Sequence, residues 1–459
     1  MAQFFCNDWH MTNSQSASHA SVMIAFRCEN VRSFRHPLEL SMLSTGLADR
    51  TAVREVVWRS GGRSLGVLPV AGLFGANASG KSNVLEAMDD MRALVLSSFR
   101  FGSPTGPIPR WPFRLDPDSI KAPSEYEIEL ILEGVRHQYG FQIDDHHVFA
   151  EWAYRWPRGR ASLIFRRDGD EVELGAFEKG RGRAALGLLR PNALFLSTAA
   201  SANHPLLLPL YEWFRRNLLL ATTDTREARQ SFTAKLLENE QAHASVLALL
   251  RAADIGITGV RQRPIDPQVR DRMELALRVL RGDEGDPGDL EHPSQIGDHD
   301  FQFTHRGSGS NVELEPQDES LGTLVWFGLV GPVLDSLAMG SVFLADELDA
   351  SLHPSLVAQL IRLYQSPTTN PRRAQLIFNS HDTTILGDAS GNRLIGRDQI
   401  WFTEKKNDGS TRLYPLSDLD PRKAEAVGRR YLSGRYGALP LLAPDEFDAA
   451  VEQFVGLEA

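Results

Sequence analysis

Residues 75–82 read Gly-Ala-Asn-Ala-Ser-Gly-Lys-Ser, and these residue types at this spacing can hold a nucleoside triphosphate. Glycines allow the backbone to curl until successive N–H groups point at the phosphate oxygens. Lys81 can then reach the β- and γ-phosphates, and the Ser82 hydroxyl can bind Mg²⁺. The segment therefore predicts a phosphate-binding loop for ATP or GTP.

The sequence on both sides of this loop predicts the elements that position it. Residues 65–74 form an apolar run typical of a buried strand. After the loop, apolar side chains recur at helical spacing, at Val84, Met88, Met91 and Val95. The loop is therefore expected to open a helix whose unpaired N-terminal N–H groups face the anion.

A pair of acidic residues lies far along the chain. Residues 340–347 read Gly-Ser-Val-Phe-Leu-Ala-Asp-Glu, an apolar strand that ends in two adjacent acids. Asp346 is expected to hold Mg²⁺ through water, and Glu347 to orient or deprotonate the attacking water. Neighbouring strand residues point to opposite faces, so the two acids can divide these tasks. A buried strand followed by a helix-capping acid has a similar pattern, but the phosphate-binding loop in the same chain favours catalysis.

Two further segments offer groups that can contact phosphates. His381 follows a predicted strand at 375–378 and is either a packed imidazole or a sensor of the γ-phosphate, and the second role is favoured. Ser320, Gly322 and Thr323 lie in a Glu-Ser-Leu-Gly-Thr sequence that opens an apolar helix. This serine is either a plain N-cap or part of a second anion site formed with the free N–H groups of the helix N-terminus.

Composition restricts the class of protein. The 459-residue chain has a formal net charge of −10, which argues against nonspecific DNA binding by the whole surface. Its two cysteines, Cys6 and Cys28, are too few for a disulfide framework or a zinc site, so a reducing cytoplasmic location is expected. No apolar run reaches the roughly 18 residues of a membrane span. Residues 320–334 come nearest and are interpreted as a buried helix.

The patterns divide the chain into five segments. Residues 1–22 are an extension expected to be disordered, and residues 23–204 are the first half of a nucleotide-binding head. A helical insertion or lid follows at 205–300, and the second half of the head at 301–415. The tail at 416–459 is a candidate partner contact. Hairpins are expected at 126–143, 162–174 and 301–314. Helical patterns in and beside the insertion occur at 209–220, 226–253 and 269–281, and a solvated acidic loop at 282–289.

Together these motifs resemble the ATP-binding-cassette ATPases of the SMC and RecF type. In chain order, the matching motifs are Walker A (75–82), the signature (319–323), Walker B (342–347), the D-loop (348–349) and the switch histidine (381). More narrowly, the chain resembles compact AAA-type ATPases of bacterial anti-phage defence loci, also called abortive-infection proteins. This resemblance lies in segments 26–34, 75–83, 319–323, 344–354 and 430–440. The chain departs from the wider class because it lacks the transporter signature Leu-Ser-Gly-Gly-Gln and a Q-loop glutamine before residue 200.

The resemblance implies an α/β fold, namely an ABC-type P-loop ATPase head with an antiparallel β lobe and a helical insertion. It adds Asn77 and Asn83 to the nucleotide site and suggests Arg32 as an adenine contact. It implies ATP and Mg²⁺ as cofactors. It also implies a head-to-head homodimer with two ATP molecules at the interface, in which the signature residues act on the partner's nucleotide. A higher oligomer is left open.

Two functions from different classes are consistent with these expectations. The first is an ATPase that acts as a nucleotide-gated sensor or regulator of a separate toxic effector in anti-phage defence, such as a Toprim- or HNH-type nuclease. The alternative is a RecF- or SMC-like ATP-gated DNA clamp in repair or recombination, which keeps DNA open as a partner. The soluble subunit of a transporter is a third, weaker interpretation, because the signature and the insertion do not suit it.

Overall fold

The computed structural model describes residues 21–47, 53–58, 64–176, 182–264, 299–387, 393–422, 425–440 and 443–456. Almost all of the expected disordered extension at 1–22, the helical pattern at 269–281 and the acidic loop at 282–289 lie outside the described residues.

Numbered in chain order, the strands are β1 (Val22–Glu29), β2 (Leu38–Ser41), β3 (Arg54–Val56), β4 (Leu65–Val67), β5 (Val70–Gly75), β6 (Ser124–Leu132), β7 (Val135–Ile143), β8 (Val148–Trp156), β9 (Ser162–Asp168), β10 (Glu171–Leu174), β11 (Leu218–Ala221), β12 (Ile257–Pro264), β13 (His299–Arg306), β14 (Asn311–Leu314), β15 (Val342–Ala345), β16 (Gln375–Asn379), β17 (Ile400–Lys405) and β18 (Thr411–Pro415). The helices are α1 (Lys81–Ser97), α2 (Pro117–Lys121), α3 (Arg183–Leu186), α4 (Phe195–Ser201), α5 (Leu207–Asn217), α6 (Arg226–Leu236), α7 (Glu240–Ala252), α8 (Leu321–Met339), α9 (Pro354–Gln365), α10 (Val427–Leu432) and α11 (Pro444–Gly456).

An antiparallel sheet of seven strands, in the order β10-β9-β8-β7-β6-β1-β2, forms the first lobe. Its hairpins follow from local sequence. The turn between β6 and β7 consists of Glu133 and Gly134 alone, and both have a positive φ, of 51° and 76°. Two left-handed residues match the twist of the flanking strands, which is why such turns close tight hairpins. The hairpins predicted at 126–143 and 162–174 are therefore confirmed.

The second sheet carries the nucleotide-binding motifs and has the order β11-β15-β16-β5-β17-β18. All neighbouring pairs are parallel except β17 and β18. The parallel strands β5, β15 and β16 are buried at every residue, as their unbroken apolar sequences require. The apolar run at 65–74 is not one strand, because it splits into β4 of a small hairpin and β5 of this sheet.

Each face of the parallel sheet closes one of two hydrophobic cores. Alternate residues point to opposite faces of a strand. Leu73, Leu344 and Ile377 belong to the core that the sheet shares with α1 and the antiparallel sheet. Their neighbours Phe74, Phe343 and Phe378 belong to the core on the other face, beneath α8 and α9. The phosphate-binding loop is thus held at the edge of a sheet that is packed on both sides.

Helix α8 runs through the second core. By length and composition it is the one helix among the described residues that could cross a membrane. However, it packs into the protein with Trp326, Phe327 and Val330 buried. It is therefore a core helix, as the sequence predicts for residues 320–334.

The segment 205–300 differs from the expected helical insertion. The helix predicted at 209–220 ends at Asn217, and β11 then pairs in parallel with β15 at the edge of the central sheet. Four consecutive apolar residues, Leu218–Ala221, bury both faces in this strand, which a surface helix could not do. The pattern at 226–253 divides into α6 and α7, with the Asn239 side chain capping α7. Strand β12 joins the hairpin β13–β14 in a three-stranded sheet.

Candidate functional site

The phosphate-binding loop follows β5 directly and leads into α1 at Lys81. Two glycines in it fit where no side chain could. A Cβ on Gly75 would collide with the carbonyl oxygen of Thr403. Gly80 has a φ of 100°, and a Cβ there would collide with Thr411 Oγ1. Strands β17 and β18 therefore press against the loop from one side and hold its shape.

Lys81 is pulled back into the loop. Its Nζ donates hydrogen bonds to the carbonyl oxygens of Gly75 at 2.9 Å and Ala76 at 3.0 Å. Burial lowers the pKa of Lys81, and the nearby carboxylates of Asp349, Glu347 and Asp346 partly oppose this effect. A buried ammonium that donates to two carbonyl oxygens of the loop is suited to take phosphate oxygens in their place.

The two acids follow the end of β15. Asp346 is partly buried, whereas Glu347 is exposed and lines the same cleft as Lys81 and Ser82. The sequence analysis expected strand alternation to point these two side chains in different directions, but both residues lie beyond the end of the strand. Glu347 has a φ of 51°, a left-handed conformation that is uncommon for a residue other than glycine, so a turn directs its carboxylate into the cleft.

Asn379, at the end of β16, connects the two motifs, and sequence reasoning did not assign it to the site. Its side-chain Nδ2 donates to Ser82 Oγ at 3.3 Å and to the Asp346 carboxylate. Its Oδ1 accepts the backbone N–H of Glu347, and its own carbonyl accepts that of Leu348. The residue is completely buried. A polar residue at the end of an apolar strand between the two motif strands is the signal that could have identified it.

The oxygen atoms that Asn379 gathers fit a magnesium ion. Ser82 and Asp346 are both within hydrogen-bonding distance of one amide nitrogen, so a hydroxyl and a carboxylate oxygen face the same point. Mg²⁺ prefers such oxygen ligands and is usually bound by one or two carboxylates together with substrate phosphates. The described residues offer no group of three or more His, Cys, Asp or Glu side chains that could hold a metal without the nucleotide.

The cleft around these residues has a volume of about 1010 Å³, enough for a whole nucleotide. Asn77, Gly80, Ser82 and Asn83 line it together with Lys81 and Glu347. Asn83 Nδ2 donates to Ser33 Oγ at 2.7 Å, which ties the start of α1 to the first lobe. His381 also lines the cleft, and its backbone N–H donates to Asp349 Oδ2 at 3.2 Å.

Arg32 reaches the wall of the cleft, but its guanidinium is already engaged. Nε and Nη2 donate to both carboxylate oxygens of Asp90 at 2.6 and 2.8 Å, and Nη1 pairs with Glu86. The guanidinium also lies over the Trp111 ring at 5.3 Å. Burial raises the pKa of Asp90 to about 6, although the bond to Arg32 works in the opposite direction. Contact between Arg32 and adenine stays a prediction.

The signature residues stand apart from this cleft. Ser320 is the N-cap of α8, since its Oγ accepts the backbone N–H of Thr323 at 3.1 Å and lies 2.9 Å from the Thr323 hydroxyl. A Cβ on Gly322 would lie 2.7 Å from the Ser351 carbonyl oxygen. The start of α8 therefore rests against the D-loop of its own chain, and within the described residues it does not line the cleft of the phosphate-binding loop.

The fold and the site define the class of this protein. A phosphate-binding loop on the central strand, acids after a neighbouring parallel strand and an antiparallel lobe together form a mixed α/β P-loop nucleotide-binding head. This confirms the predicted fold class.

Comparison with known proteins gives the family. Residues 70–387 match the family described as "AAA domain, putative AbiEii toxin, Type IV TA system", and because this match covers more than half of the chain, the protein belongs to that family of AAA ATPases. No curated protein sequence matches the chain significantly.

Solved structures with remote similarity come from SMC and RecF proteins. One is an SMC head bound to the C-winged helix domain of ScpA, at 12% identity over 87% of this chain and 99% of that chain, with a TM-score of 0.38. Another is the SMC head domain from Thermotoga maritima, at 12% identity over 86% and 98%, with a TM-score of 0.37. A third is the recombination mediator RecF with ATP, at 13% identity over 87% and 100%, with a TM-score of 0.33.

Proposed function

We propose that this protein is a Mg²⁺-dependent ATPase whose nucleotide state controls a separate effector protein. The observation that carries the proposal is the convergence of Lys81, Ser82, Asp346 and Glu347 at one edge of the parallel sheet, in a cleft large enough for a nucleotide. These groups are the ones that phosphoryl transfer to water requires: a phosphate cradle, oxygen ligands for the metal and a carboxylate for the water.

Each residue has a role that its position supports. The N–H groups of the loop and Lys81 bind the phosphates, while Ser82 and Asp346 would hold Mg²⁺, which offsets negative charge when it is bound. Glu347 is exposed to the cleft and can accept a proton from the attacking water. Asn379 fixes the distance between the metal-binding and water-binding groups, because it touches Ser82, Asp346 and the backbone of Glu347. His381 lines the cleft, and its proposed role is to contact the γ-phosphate.

We further propose that two chains close around two ATP molecules. Ser320, Gly322 and Thr323 lie outside the cleft of their own chain as far as the described residues define it, so they are free to serve a second chain. In a head-to-head dimer the N-terminus of α8 would meet the γ-phosphate held by the partner. The first N–H groups of this 19-residue helix carry a partial positive charge that favours an anion.

The role in defence rests on the family description, which names a toxin–antitoxin system. Among the described residues after His381, two strands complete the central sheet. The effector is proposed to be a separate protein, such as a Toprim- or HNH-type nuclease, as the resemblance of the motifs implies. A DNA clamp is the other outcome that the test below distinguishes.

The test begins with the nucleotide. Lys81→Ala should lose ATP binding, and Glu347→Gln should bind ATP, release phosphate at least 100-fold more slowly and accumulate as a dimer in light scattering, since general-base groups contribute about 10²–10⁴-fold. Lys121→Ala and Glu446→Gln are matched controls on exposed positions and should behave like the wild type. Normal turnover by Glu347→Gln would remove the catalytic assignment, and a monomer with bound ATP would contradict the proposed dimer.

The effector is then sought with the trapped state. Tagged Glu347→Gln protein is isolated with ATP from its own host, and the partners are identified by mass spectrometry. A stoichiometric nuclease or other toxin that is absent with Lys81→Ala supports the proposal. Recovery of DNA and replication proteins alone would favour the clamp.

A further inference from the structure

A second, smaller cavity shares Glu347 with the nucleotide cleft. Its volume is about 80 Å³, which accommodates a small tetrahedral anion and excludes a nucleotide. It lies between the end of β11, the first turn of α6, one side of the first three turns of α8, and the D-loop. Its wall includes Thr222 and Thr223, two arginines of α6, and Leu321 at the start of α8.

Arg229 is the buried charge of this cavity. The residue is only 5% exposed, and its Nη1 donates to the Thr222 carbonyl at 2.6 Å and to Thr225 Oγ1 at 2.9 Å. Its Nε has no hydrogen-bond partner among the residues that the structure describes. Burial lowers the pKa of Arg229 to about 10, and the positive charge of Arg226 contributes to this shift. A buried guanidinium with an unsatisfied donor and a like-charged neighbour is an environment that favours an anion.

A second arginine, Arg226, and the first residues of two helices also line this space. Arg226 lines the cavity, is partly exposed, and forms no salt bridge with any residue in the described part of the chain. It is also the first residue of α6, which has 11 residues, and Leu321 is the first residue of α8. The cavity therefore begins beside the first residues of both helices and continues along one side of α8, past Val325 and Leu329.

Two carboxylates also reach the wall, and both have other roles. Asp346 is held by Asn379 and faces the predicted magnesium position. Glu347 lines both the cleft and the cavity, so the two spaces meet at this residue. The two carboxylates offset the two arginines in formal charge, so an anion in the cavity would be bound by direct contact with the guanidinium groups.

The cavity is preformed by close packing of α6 on α8. The Gly331 N–H donates to Thr233 Oγ1 at 3.2 Å, and Gln230 Nε2 donates to the Leu324 carbonyl at 3.0 Å. A Cβ on Gly331 would collide with the Thr233 side chain and backbone, so the two helices touch at their backbones. The helix that carries both arginines is thus packed against α8 without a ligand, and Arg229 is also held by its hydrogen bonds to Thr222 and Thr225.

We propose that this cavity binds the inorganic phosphate released by ATP hydrolysis, with Arg226 and Arg229 as its ligands. The inference rests on the proposed ATPase function. Because Leu348 of the D-loop and Leu321 of the signature helix also line the cavity, bound phosphate contacts the segments expected to engage the partner chain. The cavity is then occupied by phosphate only after ATP has been hydrolysed.

Titration calorimetry of inorganic phosphate into the full chain tests this site. The protein is first saturated with ADP and Mg²⁺, which occupies the phosphate-binding loop. We expect about one phosphate per chain, and at least tenfold weaker binding by Arg226→Gln, which corresponds to about 1.4 kcal/mol. Arg362→Gln, on the exposed side of α9, is the matched control and should bind phosphate like the wild type. Arg226 is the better target because substitution of the buried Arg229 also disturbs folding.

Two outcomes would overturn the inference. If ADP binds and no phosphate binds beside it, the cavity is not a phosphate site. If Lys81→Ala abolishes phosphate binding while Arg226→Gln retains it, the anion belongs to the phosphate-binding loop. Failure of ATP and ADP to bind at all would instead contradict the proposed function, so the two failures can be told apart.

Discussion

Substitution of Arg32 by alanine should reduce stability in a manner that depends on pH. In the folded protein the carboxyl of Asp90 is 1% exposed and has a pKa of about 6 beside the guanidinium. Without Arg32 the buried carboxylate has no counter-charge, so Asp90 of the variant stays protonated at pH values at which Asp90 of the wild type is ionised. Keeping a group protonated above its wild-type pKa of about 6 costs about 1.4 kcal/mol per pH unit. The expected loss is therefore roughly 3 kcal/mol at pH 8 and close to zero at pH 6.

Urea unfolding of the full chain, followed by tryptophan fluorescence at pH 6, 7 and 8, measures this loss. The variant Arg32→Ala/Asp90→Asn removes the carboxyl as well, so its stability relative to the wild type should vary less with pH. The loss of the guanidinium stacked on Trp111 remains in both variants and adds a contribution independent of pH. If Arg32→Ala unfolds like the wild type at pH 8 and yet binds ATP at least tenfold more weakly, the argument fails and Arg32 is a nucleotide contact.

Two other substitutions test the site and the core. Asn379→Ala should keep ATP binding but lower the hydrolysis rate at least tenfold, since Ser82 and Asp346 lose their common hydrogen-bond partner. The Mg²⁺ concentration needed for the half-maximal rate should also rise. An unchanged magnesium dependence would contradict this role. Asp335→Asn should stabilise the protein at pH 8 and have little effect at pH 4, because burial raises the pKa of Asp335 from 3.8 to about 7. Between these two pKa values the folded wild type binds more protons than the unfolded wild type, so its stability falls as pH rises through this interval. The full pKa shift corresponds to an upper bound of roughly 4 kcal/mol. Because Asp335 is partly exposed, we expect a loss of about 1–2 kcal/mol. Thermal unfolding of both proteins across this pH range checks the sign, and a constant difference would refute it.

The local parts of the fold could be predicted because their causes are local. The hairpin β6–β7 follows from alternation and a Glu-Gly turn, and α1 follows from helical periodicity after a glycine-rich loop. The strand at Leu218–Ala221 was missed because four apolar residues after a helix continue its pattern. Only pairing with β15, more than a hundred residues later, makes them a strand.

The roles of Arg32 and Asn379 show a similar limit. The sequence around Arg32 resembled an adenine-binding segment. Its neighbouring residues do not predict that the guanidinium pairs with Asp90 and Glu86, which are 58 and 54 residues away in the sequence. Asn379 and Ser82 are 297 residues apart, and their contact depends on β16 lying next to β5 in the sheet. Side-chain partners at such separations are set by strand order, which short motifs do not contain.

The sequence by itself determined the chemistry of the phosphate-binding loop, the acids at 346 and 347 and the family, because contiguous residues carry those properties. Only the tertiary structure decided which groups meet. It brought Asn379 into contact with Ser82, Asp346 and the backbone of Glu347, and it left the signature serine outside the cleft of its own chain as far as the described residues define it. It also placed the buried Arg229 and Glu347 around one cavity. The physical reason is that packing two faces of one parallel sheet brings distant strand ends to a common edge, where their charges and hydrogen bonds must be satisfied together.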